Sequence, residues 1–100
     1  MNLEIDQTYS FKLNSGEELV AKLLEITEGY LVLSHPVSIG PSPNGSLALI
    51  PSMFTINMQN SVKINTNSIA LVAETDEAVK VKYIEATTGI RVPDKKVILG

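Results

Sequence analysis

The stretch from residue 9 to residue 33 constrains the fold most, because two turns divide it into three short segments rich in apolar residues. In residues 9–13, apolar and polar side chains alternate strictly, which is typical of a half-buried β-strand. Residues 19–26 and 30–33 are further strand segments, and the turns contain Gly16 and Gly29. The stretch therefore predicts an antiparallel meander of three strands.

The second of these segments changes phase within its own length. Leu19, Ala21 and Leu23 alternate with other residues, whereas Leu24 and Ile26 continue on the opposite phase. A phase change inside a strand indicates a β-bulge or a sharp bend, and a small barrel needs such a bend in order to curl.

The chain after the meander predicts a long hairpin. We expect Pro36 to end the third strand, because proline lacks the N–H donor that a ladder requires; an extension through residues 37–39 after a kink is the alternative. Residues 40–46 are all turn formers and predict the hairpin tip. Residues 47–64 predict one long fourth strand with a kink or an edge at Pro51.

The remaining chain predicts a turn, a strand and a helix. Residues 65–68 form a polar turn before a fifth strand at residues 69–73. Residues 79–83 alternate apolar residues with lysine, which favours a strand, but a cap at Thr75 or Asp76 and a glycine after residue 88 favour a helix. We predict a helix over residues 76–88, with a sixth strand as the alternative.

The length predicts one domain, in which the segments above divide into a barrel at residues 1–75 and a helix and tail at residues 76–100 packed on it. Apolar residues make up 44% of the chain and charged residues 19%, below the roughly 25% that is usual, which favours burial against further copies of the same chain. The net charge of −3 argues against strong nonspecific binding of nucleic acid. With no cysteine, no apparent signal peptide and no long apolar run, we expect a cytoplasmic protein without membrane contact.

Two spacings resemble motifs of the Sm/LSm-like (Hfq-like) family of small β-barrels. The residues on the spacing of the first motif are Leu13, Gly16, Leu19, Ala21 and Leu23, and residues 64–69 have the length and apolar ends of the second. The resemblance covers residues 9–73. It implies an all-β fold, a five-stranded, strongly bent antiparallel SH3-type barrel, to which the residue pattern adds the C-terminal helix. It also implies a head-to-tail homo-oligomeric ring of roughly five to seven subunits.

The resemblance implies a set of pore residues, with Tyr30 at the position that often stacks on a base. The candidate RNA-binding residues are Thr27, Tyr30, Asn65, Thr66 and Asn67. The family's Asp and Asn after the second strand are replaced by Thr27 and Leu31, and its Arg and Gly by Asn65 and Thr66. The first hypothesis is therefore a ring that binds single-stranded RNA weakly or atypically. The second is a structural ring that binds proteins and not RNA.

The same resemblance implies that the fourth strand of one subunit pairs with the fifth strand of the next. The candidate interface residues are Phe54, Ile56, Met58, Ile69 and Leu71. Such apolar strand edges favour aggregation unless a partner covers them. A monomeric SH3-like or OB-like barrel is a more distant alternative, and it would need protected edges.

No group of residues predicts catalysis. His35 is the only histidine, and it has no cysteine or second histidine with which to bind a metal. Gly40 and Gly45 lie in a loop without the lysine of a phosphate-binding motif, and no Gly-x-Ser-x-Gly sequence is present. We therefore predict no enzyme activity, no metal site and no cofactor.

Overall fold

The computed structural model describes residues 2–57 and 59–88 and shows a mostly β fold with one C-terminal helix. A short 3-10 turn, Thr66–Ser68, precedes the last strand. The strands are β1 (Thr8–Leu13), β2 (Glu18–Thr27), β3 (Tyr30–Pro41), β4 (Leu47–Pro51), β5 (Val62–Asn65) and β6 (Ile69–Glu74), and the helix α1 is Glu77–Thr88. The predicted meander, hairpin tip, polar turn and helix are confirmed.

The strands form one antiparallel sheet in which β3 has a double role. The order is β4-β3-β2-β1-β6, and β5 pairs with β3. The first part of β3 pairs with β5, from Tyr30 opposite Asn65 to Leu33 opposite Val62. Its second part pairs with β4, from Val37 opposite Pro51 onward. One long strand therefore supports two separate partners.

The larger of two apolar clusters lies on one face of the sheet. Its buried members are Tyr9, Phe11, Leu19, Ala21, Leu23, Leu31 and Leu33. Val62 and Ile64 of β5 and Ile69 and Val72 of β6 pack against the same core. β5, which pairs with β3, and β6, which ends the sheet, thus pack on the same cluster. Among the described residues β5 and β6 do not pair with each other, and the sheet is not closed.

Helix α1 covers the other face of the sheet. The Asp76 carboxylate accepts a hydrogen bond from the amide of Ala78 at 3.1 Å, which satisfies one of the free donors at the start of the helix. Tyr83 is buried against Val20 of β2 and Val37 of β3. Successive side chains of β2 point to opposite faces of the sheet, so Leu19 packs in the first cluster and Val20 packs against α1.

Two bulges bend the β2–β3 pair. The first confirms the phase change in the sequence: Leu23 faces Leu33 and Glu25 faces Val32, which leaves Leu24 as an extra residue. The second lies in β3, where His35 and Pro36 together oppose Ala21. Here Pro36 does not end the strand, and the alternative of an extension beyond it is confirmed, because the bulge accommodates the proline and β3 continues to Pro41.

The predicted long strand over residues 47–64 is also wrong. The chain leaves the sheet after Pro51 and returns at Val62, so the predicted fourth strand is two strands and the sheet has six rather than five. Local hydrogen bonds explain the interruption: the Asn57 side chain accepts from the amide of Gln59 at 2.9 Å, and its carbonyl accepts from the amide of Asn60 at 2.9 Å. These turn contacts compete successfully with the alternating pattern.

The helix content includes no membrane span. Within residues 2–57 and 59–88, no helix has the length and apolar character needed to cross a bilayer. The predicted glycine stop at residue 89 and the docking of the tail at residues 89–100 lie outside the described residues.

Candidate nucleic-acid interface

Two turns meet at one end of the sheet and bring most of the predicted RNA-binding residues together. The amide of Thr66 donates to the carbonyl of Gly29 at 3.1 Å, which joins the β5–β6 turn to the β2–β3 turn. Thr27 pairs with Tyr30 across the first turn, and Tyr30 pairs with Asn65. Gly29 has a φ of 90°, a conformation that glycine adopts without steric cost. Four of the five candidates are therefore neighbours.

Tyr30 is the centre of this group. Its ring is half-buried, and the ammonium nitrogen of Lys63 lies 4.9 Å from the ring centroid. Such a cation–π contact contributes about 0.5–1 kcal/mol at an exposed site. Lys63 did not figure among the residues predicted from the sequence. Its position two residues before Asn65 is the signal that would have found it, because residues i and i+2 of a strand share a face.

The two asparagines have structural roles in the turn. The Asn65 side-chain oxygen accepts a hydrogen bond from the amide of Asn67 at 2.8 Å and so caps the 3-10 turn. The carbonyl of Asn67 accepts from the side-chain nitrogen of Asn14 at 2.6 Å, and the Asn14 amide donates to Ser68 at 2.8 Å. Asn67 therefore contacts the β1–β2 loop, beside the group around Tyr30 and not within it.

The predicted interface residues fall into three classes. Leu71 of β6 is 66% exposed, whereas Ile69 of the same strand is half-buried against the core. Phe54, which is 79% exposed, and Ile56 lie between β4 and β5, so their predicted place on an edge strand is wrong. Met58 lies outside the described residues.

The edges of the sheet show where a partner strand has room. In the part of the chain that the structure describes, β5 pairs only with β3, and β6 pairs only with β1. Each therefore presents one row of backbone groups without a neighbouring strand. On β6 this row lies beside the exposed side chain of Leu71.

A different polar contact connects the helix to the sheet. The hydroxyl of Tyr83 accepts a hydrogen bond from the amide of Lys22 at 3.1 Å and donates one to the carbonyl of Ser34 at 2.9 Å. Burial raises the pKa of Tyr83 to about 12, and the hydrogen bond from Lys22 acts in the opposite direction. The phenol is therefore neutral at physiological pH, as its role as a donor requires.

The chain matches no known protein-family model and no curated protein sequence. Its structure is similar to a chain in the crystal structure of the NatC complex bound to CoA, with a TM-score of 0.50 and 18% sequence identity. The similarity covers 83% of this chain and 99% of that chain. At this level of identity, the likeness concerns the fold alone.

Proposed function

We propose that this chain is a ring-forming, Sm-like protein and that the ring binds single-stranded RNA weakly. In this proposal the bent sheet is a five-stranded SH3-type barrel in which β4 and β5 together take the place of one interrupted strand. The outer edge of β5 in one copy pairs with the outer edge of β6 in the next. Repetition of this head-to-tail contact closes a ring of roughly five to seven copies.

The unpaired edges of β5 and β6 carry the proposal. Both strands cover the same core, yet each has a free row of backbone donors and acceptors among the described residues. β6 carries no lysine or proline, the residues that commonly protect an edge, and Leu71 is exposed on it. A partner strand would satisfy the backbone groups and cover Leu71 at the same time.

The group around Tyr30 supports the RNA-binding part. An aromatic ring offers a stacking surface to any base, and Lys63 places a positive charge beside it for a phosphate. Thr27 and Asn65 add polar groups on the neighbouring residues. Each copy contributes little to the affinity for RNA, because the chain has a net charge of −3 and one lysine contacts the Tyr30 ring.

A ring that binds proteins and not RNA is the second candidate. The observation that favours it is the capping bond of Asn65, since an amide oxygen used to hold the turn is not free to recognise a base. The ring itself is common to both candidates.

The mass in solution tests the ring. One chain has a mass of 10.8 kDa, so light scattering after size exclusion separates a monomer from a ring unambiguously. We expect a single species of roughly five or more copies. A monomer at all concentrations contradicts both candidates.

Fluorescence anisotropy with a labelled oligouridylate tests RNA binding. We expect weak binding that decreases as salt rises, because phosphate contacts release counterions. Tyr30→Ala removes the stacking surface and Lys63→Gln removes the cation, and each should weaken binding. Lys82→Gln removes the same charge from an exposed position on α1 and should leave binding unchanged. A ring that gives no anisotropy change at low salt favours the second candidate.

A further inference from the structure

A cleft on the helix side of the sheet has no part in the proposed ring or RNA contacts. It lies between α1, the bulged part of β3 and the chain before β1, with a cavity volume of about 360 Å³. This volume is within the range of roughly 300–1,000 Å³ that is usual for small-molecule sites. The residues that define its chemistry are Asp6, Lys22, His35, Lys80, Tyr83 and Ile84.

The charge of the cleft is opposite to that of the protein. Lys22 and Lys80 contribute two positive charges and Asp6 one negative charge, a local balance of +1 with His35 neutral, in a chain of net charge −3. Neither lysine forms an ion pair within residues 2–57 and 59–88. Two lysines that line one cleft without an ion-pair partner among these residues favour an anionic ligand.

Backbone strain is concentrated at the same place. Asp6, with a φ of 71°, and His35, with a φ of 51°, are the non-glycine residues with positive φ in the described chain, and both line the cleft. Such a conformation is unfavourable for a residue with a side chain, and residues held in it are concentrated at ligand and active sites. At His35 the ring nitrogen Nδ1 lies 2.6 Å from the Ser34 hydroxyl, which orients the imidazole.

The walls differ in polarity in a way that suits a molecule with a charged and an uncharged part. Ile84 presents aliphatic surface from α1, and the buried Tyr83 beside it is fixed by its two hydrogen bonds to the sheet. Lys22 and Lys80 enter from β2 and from α1. A compact anion beside the lysines would leave the apolar wall for an organic group.

We propose that this cleft binds a small phosphate ester, with its phosphate between Lys22 and Lys80 and its organic part against Tyr83 and Ile84. His35 completes the phosphate-binding side through its imidazole. The site does not depend on the ring or on the group around Tyr30, so either proposal stands if the other fails. A terminal phosphate monoester and the phosphodiester of an RNA chain share the chemistry of recognition, and the test separates them.

Calorimetric titration of the full chain at constant ionic strength tests the site, with inorganic phosphate and uridine 5′-monophosphate as probes. We expect saturable binding of both, tighter for the nucleotide because of the apolar wall. The double variant Lys22→Gln, Lys80→Gln should weaken binding at least about tenfold, since each charge-assisted hydrogen bond contributes more than a neutral one. Lys82→Gln is the matched control and should not change it.

Three results would overturn this assignment. The first is an absence of saturable heat with either probe. The second is an equal loss of binding in Lys82→Gln, which would indicate general charge attraction. The third is displacement of the nucleotide by an oligouridylate without terminal phosphates in the Tyr30→Ala variant, because the cleft would then be a phosphodiester site. His35→Asn supplies a further variant that keeps the backbone conformation, because asparagine tolerates positive φ.

Discussion

Tyr83 and Ser34 lie 49 positions apart in the chain, and the Tyr83 hydroxyl donates to the Ser34 carbonyl at 2.9 Å. The same hydroxyl accepts from the amide of Lys22, which pairs with Ser34 across β2 and β3. These two backbone groups lie next to the bulge formed by His35 and Pro36. One phenol therefore holds the helix on the sheet at the point where the ladder is irregular.

Tyr83→Phe should destabilise the fold. The substitution keeps the buried ring but leaves a backbone donor and a backbone acceptor without their partner, which costs about 1–3 kcal/mol. Urea denaturation followed by circular dichroism measures the change in the free energy of unfolding. Tyr30→Phe, which removes a hydroxyl from the half-buried ring beside the β2–β3 turn, should cost much less stability. Equal losses in the two variants would contradict the anchoring role of Tyr83.

The raised pKa of Tyr83 predicts a loss of stability at high pH. The neutral phenol is favoured in the folded state, with a pKa of about 12 against the ordinary value of 10.0. Its contribution is therefore complete below about pH 10 and declines as the pH rises toward 12, by about 2–3 kcal/mol in all. Urea denaturation between pH 9 and about pH 11 should show a steeper decline for the wild type than for Tyr83→Phe. Parallel pH profiles of the two proteins would show that Tyr83 does not cause the loss of stability at high pH.

The conformation of His35 predicts an unusual order of substitutions. His35→Val should cost roughly 1–3 kcal/mol, because a β-branched side chain clashes with the backbone at a φ of 51°. His35→Asn should cost less stability, because asparagine tolerates positive φ. This order is the reverse of the usual strand preference, which favours valine over asparagine. Thermal unfolding of the two variants gives the comparison. Greater stability for the valine variant would contradict the positive φ.

Leu71→Lys should dissociate the proposed ring. A charge placed at this exposed position of β6 would have to be buried without a partner when the next copy adds its strand. Light scattering should then give a smaller assembly, with an unchanged circular dichroism spectrum. Leu47→Lys is the matched control, since Leu47 is 48% exposed and lies on β4, away from the β5–β6 edges. A ring of unchanged mass in Leu71→Lys would argue against pairing through β6.

The sequence predicted best where one local pattern determined the structure. The three strands of the meander, the bulge at Leu24 and the helix that Asp76 caps are all readable from alternation, a phase change and a capping residue. Most of the candidate site was also readable, because the family resemblance placed two turns side by side, and the structure joins them through Thr66 and Gly29.

The sequence was misleading where a long-range contact or a local turn overrode the pattern. The alternation at Phe54 and Ile56 predicted a strand, but the hydrogen bonds of Asn57 form a turn directly after these residues. Pro36 predicted a strand end, yet β3 continues through a bulge at this position. The backbone groups next to the bulge form hydrogen bonds with Tyr83, which is distant in the sequence. The cleft does not follow from local spacing, and the i, i+2 spacing of Lys63 and Asn65 places Lys63 near Tyr30 only when the register between β3 and β5 is known.

The double role of β3 has a practical consequence. Because β4 and β5 are each aligned by their own pairing with β3, the register of neither depends on the number of residues that separate them. The connection at residues 52–61 is thus a natural insertion point. An epitope or a fluorescent-label sequence placed there would display a probe while the sheet kept its alignment.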